Sequence, residues 1–192
     1  QIAYQPEWHR VMIEKLAVPV EFGEEVTRET VLEERPDVVV IATGARPARP
    51  EVPGIEKALT IDEVLQGVSL PDGPVVVWGA GEGVELALDL AQQGREVRLL
   101  DPNPVFVPAN YIGSRYGYVA RWMAAAGLES EQGAALVALG DGEVTVRWDG
   151  AEETIACAAL IVAPGRVAHD PLSRALLGSG IRVEVVGDAR AP

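Results

Sequence analysis

Residues 75–101 constrain this chain more than any other stretch. An apolar run, Val75-Val76-Val77-Trp78, breaks into Gly79-Ala80-Gly81-Glu82-Gly83 and passes into a pattern with apolar residues at helical spacing. The pattern stops at Gly94, and a second apolar run, Val97 to Leu100, ends in Asp101. The order predicts a strand, a glycine-rich turn, a helix and a second strand. Such a unit suits a dinucleotide: bare glycine backbone admits a pyrophosphate, the first helical N–H groups meet it, and the terminal acid accepts from a ribose hydroxyl. Gly79, Gly81 and Gly83 are the candidate turn residues. Asp101, 22 positions after Gly79, is the candidate ribose acid, and its neighbours Pro102 and Asn103 offer no arginine for a 2′-phosphate. NADH is therefore expected over NADPH.

The turn departs from Gly-x-Gly-x-x-Gly, because position 84 is valine and the third glycine, Gly83, comes one residue early. Glu82 also brings a negative charge to the place a pyrophosphate would occupy. At ~4 Å two like charges cost roughly 1–4 kcal/mol, depending on screening. The same carboxylate at the N-terminus of an empty helix is favourable by ~0.3–1 kcal/mol. Two readings follow: a dinucleotide site, or a degenerate, non-catalytic structural or docking module that binds no dinucleotide.

The flanks carry further elements. Helical spacing runs from Glu7 to Leu16, with Trp8 as core filling, and Val18 to Phe22 reads as a short strand. Thr27 and Thr60 are expected N-caps, the second in a capping box with Glu63. Val38 to Ala42 is fully apolar and predicts a buried strand, as does Leu160 to Ala163. The first opens into Thr43-Gly44-Ala45-Arg46 and the second into Pro164-Gly165-Arg166, two similar loops that bracket the central unit. Between them Tyr111 to Ala126 reads as a helix with Trp122 in its apolar stripe. Three short strands then form an antiparallel meander, from Ala135, Val144 and Thr154. A brief helix through Leu172 to Leu177 and a last strand, Val183 to Val186, complete an α/β pattern with a Rossmann-like three-layer centre.

Charge and cysteine content remove several classes of function. The formal net charge is −13, so nucleic-acid backbones and anionic membrane surfaces are repelled at long range. A single cysteine, Cys157, excludes an internal disulfide and any iron–sulfur or zinc centre built from cysteines of these residues. A cytoplasmic setting fits that usage, and no run approaches the ~20 apolar residues of a membrane helix. His9 and His169 stand in unrelated segments, so neither a metal site nor a catalytic triad is expected. No residue presents itself as a general acid or base, and none is assigned as catalytic. The first residue is Gln1, and the chain is expected to be an excised fragment or a processed product.

Three motifs in order, Asp37-Val38-Val39-Val40-Ile41-Ala42-Thr43-Gly44, the Gly79 unit and Val186-Gly187-Asp188-Ala189, resemble flavoproteins with two dinucleotide-binding domains. Within these the chain is similar to the C-terminal region of the 2,4-dienoyl-CoA reductase and trimethylamine dehydrogenase group of NADH:flavin oxidoreductases. Gly83-Val84-Glu85-Leu86-Ala87 matches the group's Gly-x-Glu-x-Ala helix start, which brings Glu85 into the candidate cofactor set and implies a turn shortened by one residue. The resemblance implies that residues 71–163 are an NAD-type domain inserted into a partial FAD- or ADP-type outer domain, residues 1–70 and 164–192. Thr43, Gly44, Gly165, Gly187 and Asp188 would then face the flavin-side nucleotide. It also implies that the FMN barrel, the iron–sulfur cluster and the N-terminal half of the outer domain belong to the remainder of the same flavoprotein, which is the expected partner.

Overall fold

The computed structural model describes residues 4–106 and 114–192. In chain order the first elements are helices α1 (Tyr4–Lys15) and α2 (Arg28–Glu34) and strands β1 (Val38–Ile41) and β2 (Ala45–Pro47). Then come β3 (Leu59–Thr60), α3 (Ile61–Leu65), β4 (Val75–Trp78), α4 (Ala80–Gln92), β5 (Val97–Asp101) and α5 (Ser114–Ala126). The remaining strands are β6 (Ser130–Gln132), β7 (Ala135–Leu139), β8 (Glu143–Trp148), β9 (Ala151–Ala156), β10 (Ala159–Val162), β11 (Arg166–Ala168) and β12 (Arg182–Val185). The chain divides into two compact units, one from residues up to Ile41 with Pro171–Glu184, the other from Ala42–Asp170 with Val185–Pro192. The stretch 71–163 lies wholly within the second.

In the first unit, Thr27 caps α2 as expected: its hydroxyl accepts from the Thr30 N–H, and Thr30 reaches back. β1 pairs with β12 in a sheet of two strands. That pairing overturns the expectation of a buried strand, since Val38 and Val40 are 45% and 60% exposed. A two-stranded ribbon offers too little cover for both faces of an apolar strand. Residues 18–22 form no strand, and Phe22 is 92% exposed. Nor do residues 172–177 form a helix. Bonds from the Leu176 N–H to the Leu172 carbonyl and from the Leu177 N–H to the Arg174 carbonyl close isolated turns, and Gly178 and Gly180, both at positive φ, redirect the chain. Trp8, expected in a core, stands half exposed on α1.

The second unit is built on a parallel sheet in the order β3-β10-β4-β5-β6. Alternate residues of its central strands serve two cores. Val75, Val77, Leu99 and Ile161 point into one, where α4 contributes Val84, Ala87 and Leu88 and α5 contributes Val119 and Met123. Val76, Trp78, Leu100, Leu160 and Val162 point into the other, closed by the antiparallel meander β7-β8-β9 through Leu136, Val144, Val146 and Ile155. The Trp78 Nε1–H donates to the Ala134 carbonyl at 2.7 Å, so its indole is buried with its polar atom satisfied. On α5 the residues at 119 and 123 share the buried face, and Trp122, one position off it, is exposed and stacks at a tilt with Tyr118. The expected start of this helix, Tyr111 to residue 113, lies outside the described residues.

α4 owes its ends to glycine. Gly94 adopts φ 82°, its N–H donates to the Ala91 carbonyl, and the Arg95 N–H reaches the Leu90 carbonyl, the two bonds of a Schellman closure. Thr60 caps α3 in a capping box with Glu63. A small antiparallel ribbon, β2 with β11, places Arg46 opposite Val167. Among the described residues no helix is long and apolar enough to cross a membrane.

Candidate functional site

β4 delivers the chain into a turn that only glycine can make. Gly79 has φ 108°, and a Cβ on it would lie 2.2 Å from the Ala163 carbonyl oxygen. Gly83, one turn into α4, does a different job. A Cβ there would meet Val77 Cγ1 at 2.8 Å and Ala163 Cβ at 3.2 Å, so its bareness lets the helix settle on β4 and β10. The shortened motif has thus divided its labour: Gly79 turns the chain, Gly83 seats the helix, and Gly81 between them opens to a cavity. The N-cap residue, Gly79, has no side chain to cap α4, so the first N–H groups lack acceptors from within the helix.

That cavity has a volume of about 420 Å³. One wall is the Gly79–Glu82 turn, a second is the end of β5 with Asp101 and Asn103, and a third is the loop from Ala163 to Arg166. Asp188 and Pro192 close it. Asp101 is 1% exposed. Its Oδ1 accepts from the Asn103 backbone N–H at 3.0 Å and from the Asn103 amide at 2.8 Å, and its buried Oδ2 has no hydrogen-bond partner among the described residues. A buried carboxylate oxygen left unpaired is costly, and here it belongs to a residue lining a hollow.

Arg166 is held by two acids. Its Nη1 and Nη2 donate to Asp62 at 3.2 and 2.7 Å, a bidentate grip, and its Nε donates to Glu82 Oε1 at 3.0 Å. Hydrogen bonding to Asp62, and then to Glu82, pushes the guanidinium pKa further up from its already high value. The charge on Glu82 therefore arrives at the helix N-terminus already countered. Three of the cavity's side chains are carboxylates, Glu82, Asp101 and Asp188, against the one guanidinium of Arg166.

Of the candidate residues, the cavity gathers Gly79, Gly81, Asp101, Gly165 and Asp188. Gly83 sits buried behind its wall. Glu85 is exposed on α4 away from the lining, and Gly187 lies in a 3-10 turn next to Asp188 without lining the cavity. Thr43 and Gly44 lead into β2 instead and bond to His169, just past β11. The Thr43 hydroxyl donates to the His169 carbonyl, the His169 N–H donates to the Gly44 carbonyl at 2.9 Å, and Arg46 Nη2 lies 2.8 Å from His169 Nε2. Asp62 is the residue that sequence reasoning missed. Its position beside a capping box marks it as a helix-start acid, and nothing along the chain ties it to an arginine 104 residues away.

The sequence from residue 4 to residue 188 matches the family described as pyridine nucleotide-disulphide oxidoreductase. The chain belongs to that family. An NADH oxidase of Thermoanaerobacter brockii is 29% identical over 98% of this chain and 30% of its own length. A nitric oxide reductase FlRd-NAD(+) reductase of Aeromonas salmonicida is 44% identical over 33% of this chain and 18% of its own. Among solved structures, 2-naphthoyl-CoA reductase in complex with 2-naphthoyl-CoA superposes with a TM-score of 0.82 at 28% identity, covering 96% of this chain and 29% of that one. The chain thus spans less than a third of the length of each of these relatives. The fold is that of a FAD/NAD-binding domain, with a parallel sheet between a helical layer and a meander.

Tested against such a domain's ligand, the residues of the cavity fit the sugar end: Asp101, whose Oδ2 has no partner among the described residues, and the bare Gly79 turn line one hollow. At the phosphate end, the free N–H groups of α4 fit an anion, while Glu82 opposes one and Arg166 offsets Glu82.

Proposed function

We propose that this chain is the nucleotide-handling region of an NADH:flavin oxidoreductase of the dienoyl-CoA reductase and trimethylamine dehydrogenase type, and that the Gly79 cavity takes NAD(H). The observation that carries the reading is Asp101, a buried acid that lines the cavity bounded by the glycine turn and whose Oδ2 has no hydrogen-bond partner among the described residues. A ribose 2′-hydroxyl donating to that oxygen would satisfy it, whereas a 2′-phosphate would set a second anion against it. NADH is accordingly favoured over NADPH. When bound, the nicotinamide and a flavin supply the hydride chemistry, and the chain's own residues bind and orient. Asp101 fixes the sugar, Asn103 holds Asp101, and Gly79 and Gly81 let the backbone approach.

In the same reading, residues 1–70 and 164–192 contribute to an outer domain for FAD or ADP, with Asp188 and Gly187 at its edge. The FMN and iron–sulfur cluster of the group belong to other parts of the flavoprotein, which is the partner of this region. Its setting is the cytoplasm. Titrating the chain with NADH and NADPH and following nucleotide fluorescence tests the assignment. Tighter NADPH binding contradicts the role given to Asp101.

Glu82 supports a second reading, in which the domain is an empty module that docks to the rest of its protein. Its carboxylate already sits on the positive end of α4. Failure of the purified chain to take up NADH, FAD or ADP by calorimetry would decide for that module.

A further inference from the structure

Arg166, Glu82 and Asp62 form one ion-pair cluster at the edge of the cavity. Arg166 follows β10, Glu82 lies in the first turn of α4 and Asp62 in the first turn of α3, so three separate elements converge on one guanidinium. Glu82 Oε1 takes the Nε–H, and the two carboxylate oxygens of Asp62 take the terminal nitrogens. Glu82 and Arg166 both line the cavity whose other wall holds the unpartnered Oδ2 of Asp101.

We infer that Glu82 is a built-in competitor for the phosphate end of the ligand, and that Arg166 is the specificity-determining cation for which they compete. This rests on the reading of the cavity as a nucleotide site. The Nε–H of Arg166 cannot donate fully to Glu82 and to a ligand phosphate together, and a carboxylate at the start of α4 takes the same helix-end potential a phosphate would use. A diphosphate that takes this Nε–H therefore displaces Glu82 from it. Asp62 keeps its bidentate hold throughout, so Arg166 stays at the cavity while its partner changes. The cavity consequently discriminates by phosphate charge: it holds the nucleoside part through Asp101 and resists the diphosphate through Glu82. Its preference between adenosine and ADP is set by one side chain.

Three ligands and three variants test the proposal by calorimetry or ligand-observed NMR on the full 192-residue chain. Adenosine carries the sugar without phosphate, ADP adds the diphosphate, and NADH is the complete cofactor. Glu82→Gln keeps the size of the side chain and an oxygen for the Arg166 Nε–H. It should tighten ADP and NADH about tenfold, as relief of a like-charge contact at close range requires, and leave adenosine within twofold. Arg166→Gln should weaken ADP at least tenfold, again sparing adenosine. Should that variant fold poorly, the Glu82→Gln result stands alone as the test. Glu82→Gln leaving ADP unchanged, or tightening adenosine equally, overturns the proposal. Asp101→Asn separates the two levels of the reading. If it weakens adenosine while Glu82→Gln does nothing to ADP, the nucleotide site stands and the competition falls. If neither the wild type nor Glu82→Gln binds any of the three, both fall.

Discussion

Replacing Asp101 by asparagine should stabilise the ligand-free protein while crippling the proposed nucleotide site. The side chain is 1% exposed, and two hydrogen bonds from Asn103 converge on Oδ1, leaving Oδ2 with none. The amide oxygen of asparagine inherits both bonds at Oδ1. What changes is the other position, where a charged, unpaired oxygen gives way to a neutral amide. An unsatisfied buried polar group costs about 1–3 kcal/mol, and more when charged. Part of the cost persists, since the new NH₂ also lacks a partner, so a gain of about 1 kcal/mol is expected. That corresponds to a rise in Tm of about 2–4 °C for a chain of this size. Nucleotide binding should move the other way. A hydrogen bond to a charged acceptor contributes about 1.5–3 kcal/mol, which predicts NADH affinity weaker by roughly 10- to 150-fold. Urea unfolding reads the first effect as a shift in midpoint at unchanged slope, and an NADH fluorescence titration reads the second. A variant less stable than wild type by more than about 1 kcal/mol would show that Asp101 is held for the fold, and the reasoning would fail.

Gly79→Ala should cost at least about 3 kcal/mol, because a Cβ would sit 2.2 Å from the Ala163 carbonyl oxygen on a residue at φ 108°; an unaltered urea midpoint would mean the turn relaxes freely. At Glu63, hydrogen bonds from the Thr60 backbone and hydroxyl, with Arg49 beyond them, hold the carboxyl pKa below its ordinary range. Its stabilisation is therefore full above that range and lost as pH falls through the lowered native value. Glu63→Gln, at a site more than a third exposed, should cost about 0.5 kcal/mol at neutral pH, a difference that vanishes in acid melts. Burial, and then the nearby Glu143 charge, push the Cys157 thiol pKa up, so the unfolded chain ionises first and stability declines as pH rises past the ordinary thiol range. A thiol reagent at pH 8 should label the native protein far more slowly than the urea-unfolded one, and equal rates would contradict the buried position.

The central unit is legible in the sequence because its periods are long and unmixed. Four consecutive apolar residues, a glycine turn, thirteen residues of helical spacing and a Gly94 stop leave little else to form, and β4, α4 and β5 follow. The Thr60 capping box is equally local, and both of its bonds are present. Val38 to Ile41 shows where such reasoning fails. An apolar run promises burial, but burial depends on what covers the strand, and that is written elsewhere in the chain. Trp122 fails for another reason, since a stripe read from spacing cannot say where its edge falls by one residue. At the site, Asp101 was legible because its place at the end of a strand follows from the unit itself. The tie between Asp62 and Arg166 was not, for it depends on β3 and β10 lying side by side, a pairing of residues about a hundred positions apart.

That pairing has a consequence for how the protein is born. β10 occupies the slot between β3 and β4, yet it is synthesised after both, and 81 residues separate Ala159 from Trp78. At typical translation rates of about 5–20 residues per second, the slot stays open for roughly 4–16 s. During that interval the inner edge of β4 is unpaired, a template for mispairing in the nascent chain. Glu82 waits over the same interval without its countercharge, because Arg166 emerges still later. Nucleotide offered to the growing chain meets two walls and no third, so a ligand of this cavity can stabilise only the finished unit and cannot chaperone its assembly.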